Sequence, residues 1–236
     1  MSRILAALAA IFMFSCAAIA APPTLDQSRT YVLGGVIANG NALALADKML
    51  AQAHDGTNMP LDLIIASPGG DVITGFLFIN VMEAVKAAGT PIRCYVPTIA
   101  ASMAFQILVH CDERYALDRA FLLFHRVRVS LPQGTPITAP SAREMAHDMA
   151  LMDQGIYTEL VNALGMDEKV IRYNFERETL WVAADLAAAT NSFIQVYPAI
   201  PGVIEAALAK NIPHMPSAGG NTKSGQIIYI WRGAQR

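Results

Sequence analysis

Residues 61–66 and 92–96 are short apolar runs bounded by turn-forming residues, and this pattern constrains the chain more than any other. Runs of that length suit strands buried on both faces, the kind found in parallel sheets. Between them, residues 72–88 carry apolar side chains at helical spacing and stop at Gly89. Strands alternating with helices predict an α/β fold with a parallel sheet and right-handed crossovers. The same reading gives a strand over residues 30–34 and a helix over 41–54. A small-residue turn leads into a helix over 102–110, Tyr115 and residues 121–124 are extended, and 183–190 are helical. Residues 126–140 form a polar, proline-containing loop. Residues 141–164 then read as one helix of about 36 Å, long enough to extend beyond a compact core toward a partner subunit.

The ends read differently. Arg3 precedes an unbroken apolar run over residues 4–14, and Ala18 and Ala20 stand where a signal peptidase reads. That pattern predicts a secretory leader over residues 1–20 and a soluble product starting near Ala21; the run is too short to span a bilayer. Lipoprotein anchoring at Cys16 fits less well, because Met13 and Phe14 depart from the usual cleavage pattern. Residues 21–216 suit one domain, and 217–236 form a tail with a Gly/Ser/Asn linker and a last short strand over 227–231. The 17 basic and 19 acidic residues are scattered, which argues against nucleic acid as a partner. Later apolar runs are too short for a membrane span. Beyond Cys16, Cys94 and Cys111 remain, without the spacing of a metal or redox site. They are either a disulfide or two separate buried thiols. Separate thiols are the favoured reading, because a strand climbs farther per residue than a helix descends.

Three local features carry chemistry. Ser102 stands between a buried strand and an apolar helix, among the small residues Ala100, Ala101 and Ala104. At a helix N-terminus the unpaired N–H groups favour a developing negative charge, although serine is also an ordinary N-cap. Ser67-Pro68-Gly69-Gly70 ends the strand 61–66, and its glycines permit close backbone approach to a ligand. His125 ends an apolar strand at the edge where loops gather, and histidine suits the role of base to a serine hydroxyl. His54, His110, His147 and His214 lack this placement and receive no role. No His, Cys and carboxylate cluster has ligand spacing, so neither a metal nor an organic cofactor is expected.

Taken in order, Leu63-Ile64-Ile65-Ala66-Ser67-Pro68-Gly69-Gly70, Ala100-Ala101-Ser102-Met103-Ala104, Arg114-Tyr115-Ala116-Leu117 and Phe124-His125 resemble the Clp protease proteolytic subunit, over roughly residues 31–196. The resemblance implies a ClpP/crotonase-like fold of repeated β-β-α units with a long protruding helix, and assembly into rings. It implies Ser102 as nucleophile, His125 as base, and the Gly70 and Met103 N–H groups as an oxyanion hole. Glu178 falls where the family carries the aspartate of the triad, and Arg177 where it carries an arginine that couples ring contacts to the site. The glutamate side chain is one methylene longer, and Ala104 replaces a glycine common after the family's Ser-Met.

The expected activity is that of a serine endopeptidase acting on peptides or unfolded protein segments through an acyl-enzyme. Cytosolic relatives are fed by an ATP-driven unfoldase; an exported enzyme would have neither that partner nor ATP. The alternatives are an acyl-transfer enzyme of the crotonase superfamily and a non-catalytic peptide-binding scaffold of the same fold.

Overall fold

The computed structural model describes residues 21–209. The leader reading, Cys16, His214 and the tail therefore lie outside the described residues. The elements run β1 (Thr30–Gly34), α1 (Asn39–Ala53), β2 (Leu61–Ala66), α2 (Val72–Ala87), β3 (Ile92–Val96), β4 (Ile99–Ala101), α3 (Met103–Val109), β5 (Glu113–Leu117), β6 (Phe121–Leu123), α4 (Ala139–Leu164), α5 (Glu168–Arg177), β7 (Leu180–Val182), α6 (Ala183–Ala189), β8 (Gln195–Tyr197) and α7 (Val203–Ala209).

All five strands of the main sheet are parallel, in the order β1-β2-β3-β5-β8. Every residue of β2 is buried, as a central strand covered on both faces requires. Leu63 and Ile65 face α1, α2 and α3, whereas Ile64 joins Tyr95, Tyr115 and Tyr197 beneath α7. Asp62 is the polar exception inside β2. Arg93 Nε at 2.7 Å, the Tyr95 hydroxyl at 3.1 Å and the Asp26 N–H at 3.0 Å all donate to its carboxylate, which is how a buried charge is tolerated.

A second layer holds β4, β6 and β7, with β4 parallel to β6 and β6 antiparallel to β7. Isolated bridges extend this layer toward the N-terminus, joining Ser67 to Ala100 and Ile37 to Gly70. Each of the first four main-sheet strands is thus followed by a short extended piece that pairs within this second layer, and then by a helix. This is the expected repeating β-β-α plan. The segment read from sequence as a small-residue turn before Ser102 is strand β4. Its three residues gain their pairing from distant chain, so no local pattern announces them.

Helix α4 starts at Ala139, two residues before the expected Ser141. Thr138 caps it and exchanges hydrogen bonds with Ser141, which sits three residues past the cap. Its C-terminal half buries Asp153, Ile156, Tyr157, Leu160 and Leu164 against the core, while none of residues 139–152 is buried. His110, between Glu83 on α2 at 3.1 Å and Glu159 on α4 at 3.2 Å, helps fasten this half to the body.

Cys94 and Cys111 are bonded, with Cα atoms 6.0 Å apart, which corrects the expectation of two separate thiols. The strand does not climb straight from Cys94 to Ser102. The chain leaves β3 at Val96 and re-forms as β4 in the other layer, so Cys111 returns beside Cys94. The cross-link closes 17 residues of chain, which stabilises by about 3 kcal/mol through the restricted unfolded state. Replacing both cysteines by alanine is expected to lower the unfolding free energy by about that amount in urea titrations, and reductant should erase the difference from the parent.

Candidate active site

Ser102 is held in an unusual backbone conformation. Its φ is 57° and its ψ −126°, a region that a residue with a Cβ enters only under constraint, at roughly 1–3 kcal/mol. The constraint is visible on both sides. The Ser102 N–H donates to the Leu123 carbonyl at 2.8 Å, continuing the β4–β6 ladder, and the Ser102 carbonyl accepts from Phe105 and Gln106 as α3 begins. The chain therefore turns sharply from strand to helix on the serine itself. Neighbouring Ala100, Ala101 and Ala104 are wholly buried, leaving the half-buried serine at the apex.

The glycine turn is built against that apex. The Ser67 carbonyl accepts from Ala101, the Ser67 N–H donates to Ile99, and the Ser67 hydroxyl accepts from the Gly69 N–H at 3.1 Å. A Cβ on Gly69 would lie 2.6 Å from the Ser102 Cβ and 3.0 Å from the Met103 nitrogen. On Gly70 it would fall 2.2 Å from the Ile37 carbonyl oxygen, because Ile37 donates to the Gly69 carbonyl and accepts from Asp71 on either side of Gly70. Among the described residues, neither the Gly70 N–H nor the Met103 N–H donates a hydrogen bond. Two unpaired donors beside a strained serine can receive an oxyanion. Ile37, which pins the glycine turn, was not singled out from sequence; its apolar side chain carries no sign of a role played by its backbone.

His125 follows β6 by two residues, so the β4–β6 pairing of Ala101 with Leu123 puts it at the same edge as Ser102. Its ring is half-buried, and Nδ1 hydrogen-bonds the Arg126 carbonyl at 2.5 Å. Since a carbonyl only accepts, Nδ1 carries the proton and Nε2 the lone pair, which is the tautomer a general base needs. Burial pulls the His125 pKa below its usual value; the bond to the Arg126 carbonyl opposes this, Arg128 adds to it and Asp153 opposes it. Among the described residues the Ser102 hydroxyl has no hydrogen-bond partner, so the serine–histidine contact is not closed here. Such contacts commonly tighten when substrate binds.

The β6–β7 pairing ends at Leu123 and Leu180, and Glu178, two residues before that end, has already left strand geometry as the cap of α5. Its carboxylate is taken by Arg128, whose Nε donates at 2.8 Å and whose second nitrogen forms a still closer ion pair. Glu178 caps α5 in a left-handed conformation, φ 57°. Arg177 stacks over the Tyr173 ring at 4.9 Å. Two residues of this neighbourhood had no signal in the sequence. Arg128 lies in the segment read as a polar loop, and Asp153 occupies a buried position on α4. Asp153 accepts from the Val127 N–H at 2.6 Å and from Arg126 Nε at 2.8 Å. Among the described residues no cluster of three or more His, Cys, Asp or Glu could hold a metal ion.

Glycine, which enters this backbone region freely, should relieve the strain at position 102. Ser102→Gly is expected to be more stable than Ser102→Ala by about 1 kcal/mol in urea unfolding, against the usual order for a glycine replacement. Equal stabilities, or a more stable alanine variant, would show that the turn carries no strain.

Compared with known proteins, residues 18–191 match the family model described as Clp protease. The chain is also similar to the ATP-dependent Clp protease proteolytic subunit 1 of Salinibacter ruber, with 27% identity over 164 residues, covering 69% of this chain and 67% of that protein.

Proposed function

Because the chain belongs to the Clp protease family, we propose that it is a serine peptidase in which Ser102 attacks a peptide carbonyl and His125 serves as base. The observation that carries this reading is the backbone of Ser102, a strained serine at a strand-to-helix turn with Gly69 packed on its Cβ. His125 Nε2 takes the hydroxyl proton as the Oγ–carbon bond forms. The carbonyl oxygen becomes an oxyanion between the Gly70 and Met103 N–H groups. His125 returns the proton to the leaving amine, and water then cleaves the acyl-enzyme by the same steps. Glu178 enters as the carboxylate that reaches His125 once Arg128 releases it. Family membership favours this reading over an acyl-CoA enzyme or a non-catalytic scaffold.

The substrates in this reading are peptides or unfolded segments. We propose further that the protein is exported, that residues 1–20 are removed, and that it acts without an ATP-driven unfoldase. The Cys94–Cys111 bond supports export, since such cross-links persist in oxidising compartments. We also propose assembly into a ring. In support, Leu151 on α4 is 61% exposed, and Met149 and Met152 beside it are only partly covered by the core.

A fluorophosphonate probe is expected to label Ser102 alone. Ser102→Ala and His125→Ala should each lower kcat by a thousandfold or more, roughly, and the double variant should be no worse, because the two act as a unit. The acid limb of kcat/KM should have its midpoint below the usual histidine value of 6.5, since burial disfavours the imidazolium. Labelling at another serine, or near-normal turnover of His125→Ala, would overturn the assignment.

A further inference from the structure

The peptide group joining Arg126 to Val127 is held from both ends. Its carbonyl oxygen accepts from His125 Nδ1 at 2.5 Å, and its N–H donates to Asp153 Oδ1 at 2.6 Å. A single amide therefore connects the imidazole to a carboxylate on α4. Asp153 is 7% exposed and Val127 8%, so little water competes for the bond between them, while the His125–Arg126 bond is open to solvent. We propose that Asp153 is a positioning residue for His125, acting through this peptide group; the proposal rests on the reading of His125 as the base.

The physical reason is cooperative polarisation. A carboxylate on the N–H side draws that proton and shifts electron density onto the carbonyl oxygen, which then accepts more strongly from Nδ1. The bond fixes the ring plane and the Nδ1–H tautomer. When the Ser102 proton arrives at Nε2, the imidazolium faces a carbonyl backed by a negative charge. That is the service a directly bonded aspartate gives in other serine hydrolases. The remaining carboxylate oxygen is held by Arg126 Nε at 2.8 Å, so Asp153 is fixed on both oxygens. Here Asp153 serves in the conformation in which Glu178 is bound to Arg128.

Two charged groups act on His125 directly, Arg128 and Asp153, and each carries an ion-pair partner, Glu178 and Arg126. Arg126 and Arg128 lie on its own segment, Glu178 ends α5, and Asp153 lies on α4. Arg128 opposes protonation of the ring and Asp153 favours it. Glu178 offsets Arg128, and Arg126 partly offsets Asp153. Removing the Asp153 charge alone leaves the cations in excess, so the His125 midpoint should fall.

The test uses the full chain carrying Asp153→Asn, whose side-chain oxygen can still accept from Val127. The plateau of kcat/KM is expected to fall about tenfold or more, and the acid limb to move to lower pH. A purely structural role would lower active fraction without moving the limb. A plateau within twofold of the parent together with an unmoved limb would overturn the proposal. Should this variant fail to fold, the parent protein labelled with 15N-valine supplies the answer. The Val127 amide is expected to shift in step with titration of the His125 ring, and an amide indifferent to that titration would overturn the coupling. Absent peptidase activity and absent fluorophosphonate labelling of the parent would instead sink the serine-peptidase reading, while the Val127 measurement would still decide for or against Asp153.

Discussion

The hydrogen bond from the Ser102 N–H to the Leu123 carbonyl, 2.8 Å long, is the constraint on which the rest of the site hangs. It extends the β4–β6 ladder by one residue beyond the pair Ala101 and Leu123. With that bond made, the serine cannot relax into an ordinary helical start, and the chain must reverse on a residue with positive φ. The same bond fixes where β6 ends, and so where His125 begins. On the other flank, Ser67 pairs with Ala100 and Gly70 with Ile37, bringing the two unpaired N–H groups to the serine. Every site element is thus indexed to one layer of very short pairings. The buried residues around the turn, Ala100, Ala101, Met103 and Ala104, supply the packing that offsets the strain.

Glu178 and Asp153 sit in different environments. Glu178 binds Arg128, and both side chains are substantially open to water, at 37% and 48%. A pair so exposed contributes only about 0–1 kcal/mol, so the Glu178–Arg128 pair is energetically cheap to open. Asp153 is buried, bonded on both oxygens and set on a helix packed against the core.

What could be read from sequence follows from how local its cause is. β1, β2 and β3 were legible to the residue, and for the central strands β2 and β3 the reason is that burial on both faces writes itself as a mostly apolar run. The α2 boundaries were legible because Asp71 caps one end and Gly89 follows the other. Ser102, His125, Gly70 and Met103 came from the order of four motifs; the β4–β6 pairing sets Ser102 and His125 at one edge, and Gly69 packs on the serine Cβ. β4 was not legible, since its pairing partners are Ser67 and residues 121–123. α5 was missed because it is mostly polar and buries only Ile171, Asn174 and Phe175. Arg128 and Asp153 act on partners 50 and 26 residues away, and no spacing rule in the sequence links such pairs.

The disulfide belongs to the same physical account as the strained serine. Cys94 lies on β3 and Cys111 just beyond α3, so the closed loop contains the crossing between layers, β4, Ser102 and the whole of α3. A residue strained by roughly 1–3 kcal/mol gives the turn a standing tendency to open locally. Opening is favoured by the freedom it restores to the chain, and a cross-link around the loop removes much of that freedom, by about 3 kcal/mol in the fully unfolded limit. The two quantities are of similar size and opposite sense. Hydrogen bonds at Leu123 and Ser67 set the geometry of the serine, and the covalent loop limits how far the chain can depart from it. The Ser102 backbone is therefore held in place by long-range pairing and covalent closure together, more than by any preference of residues 100–104 themselves.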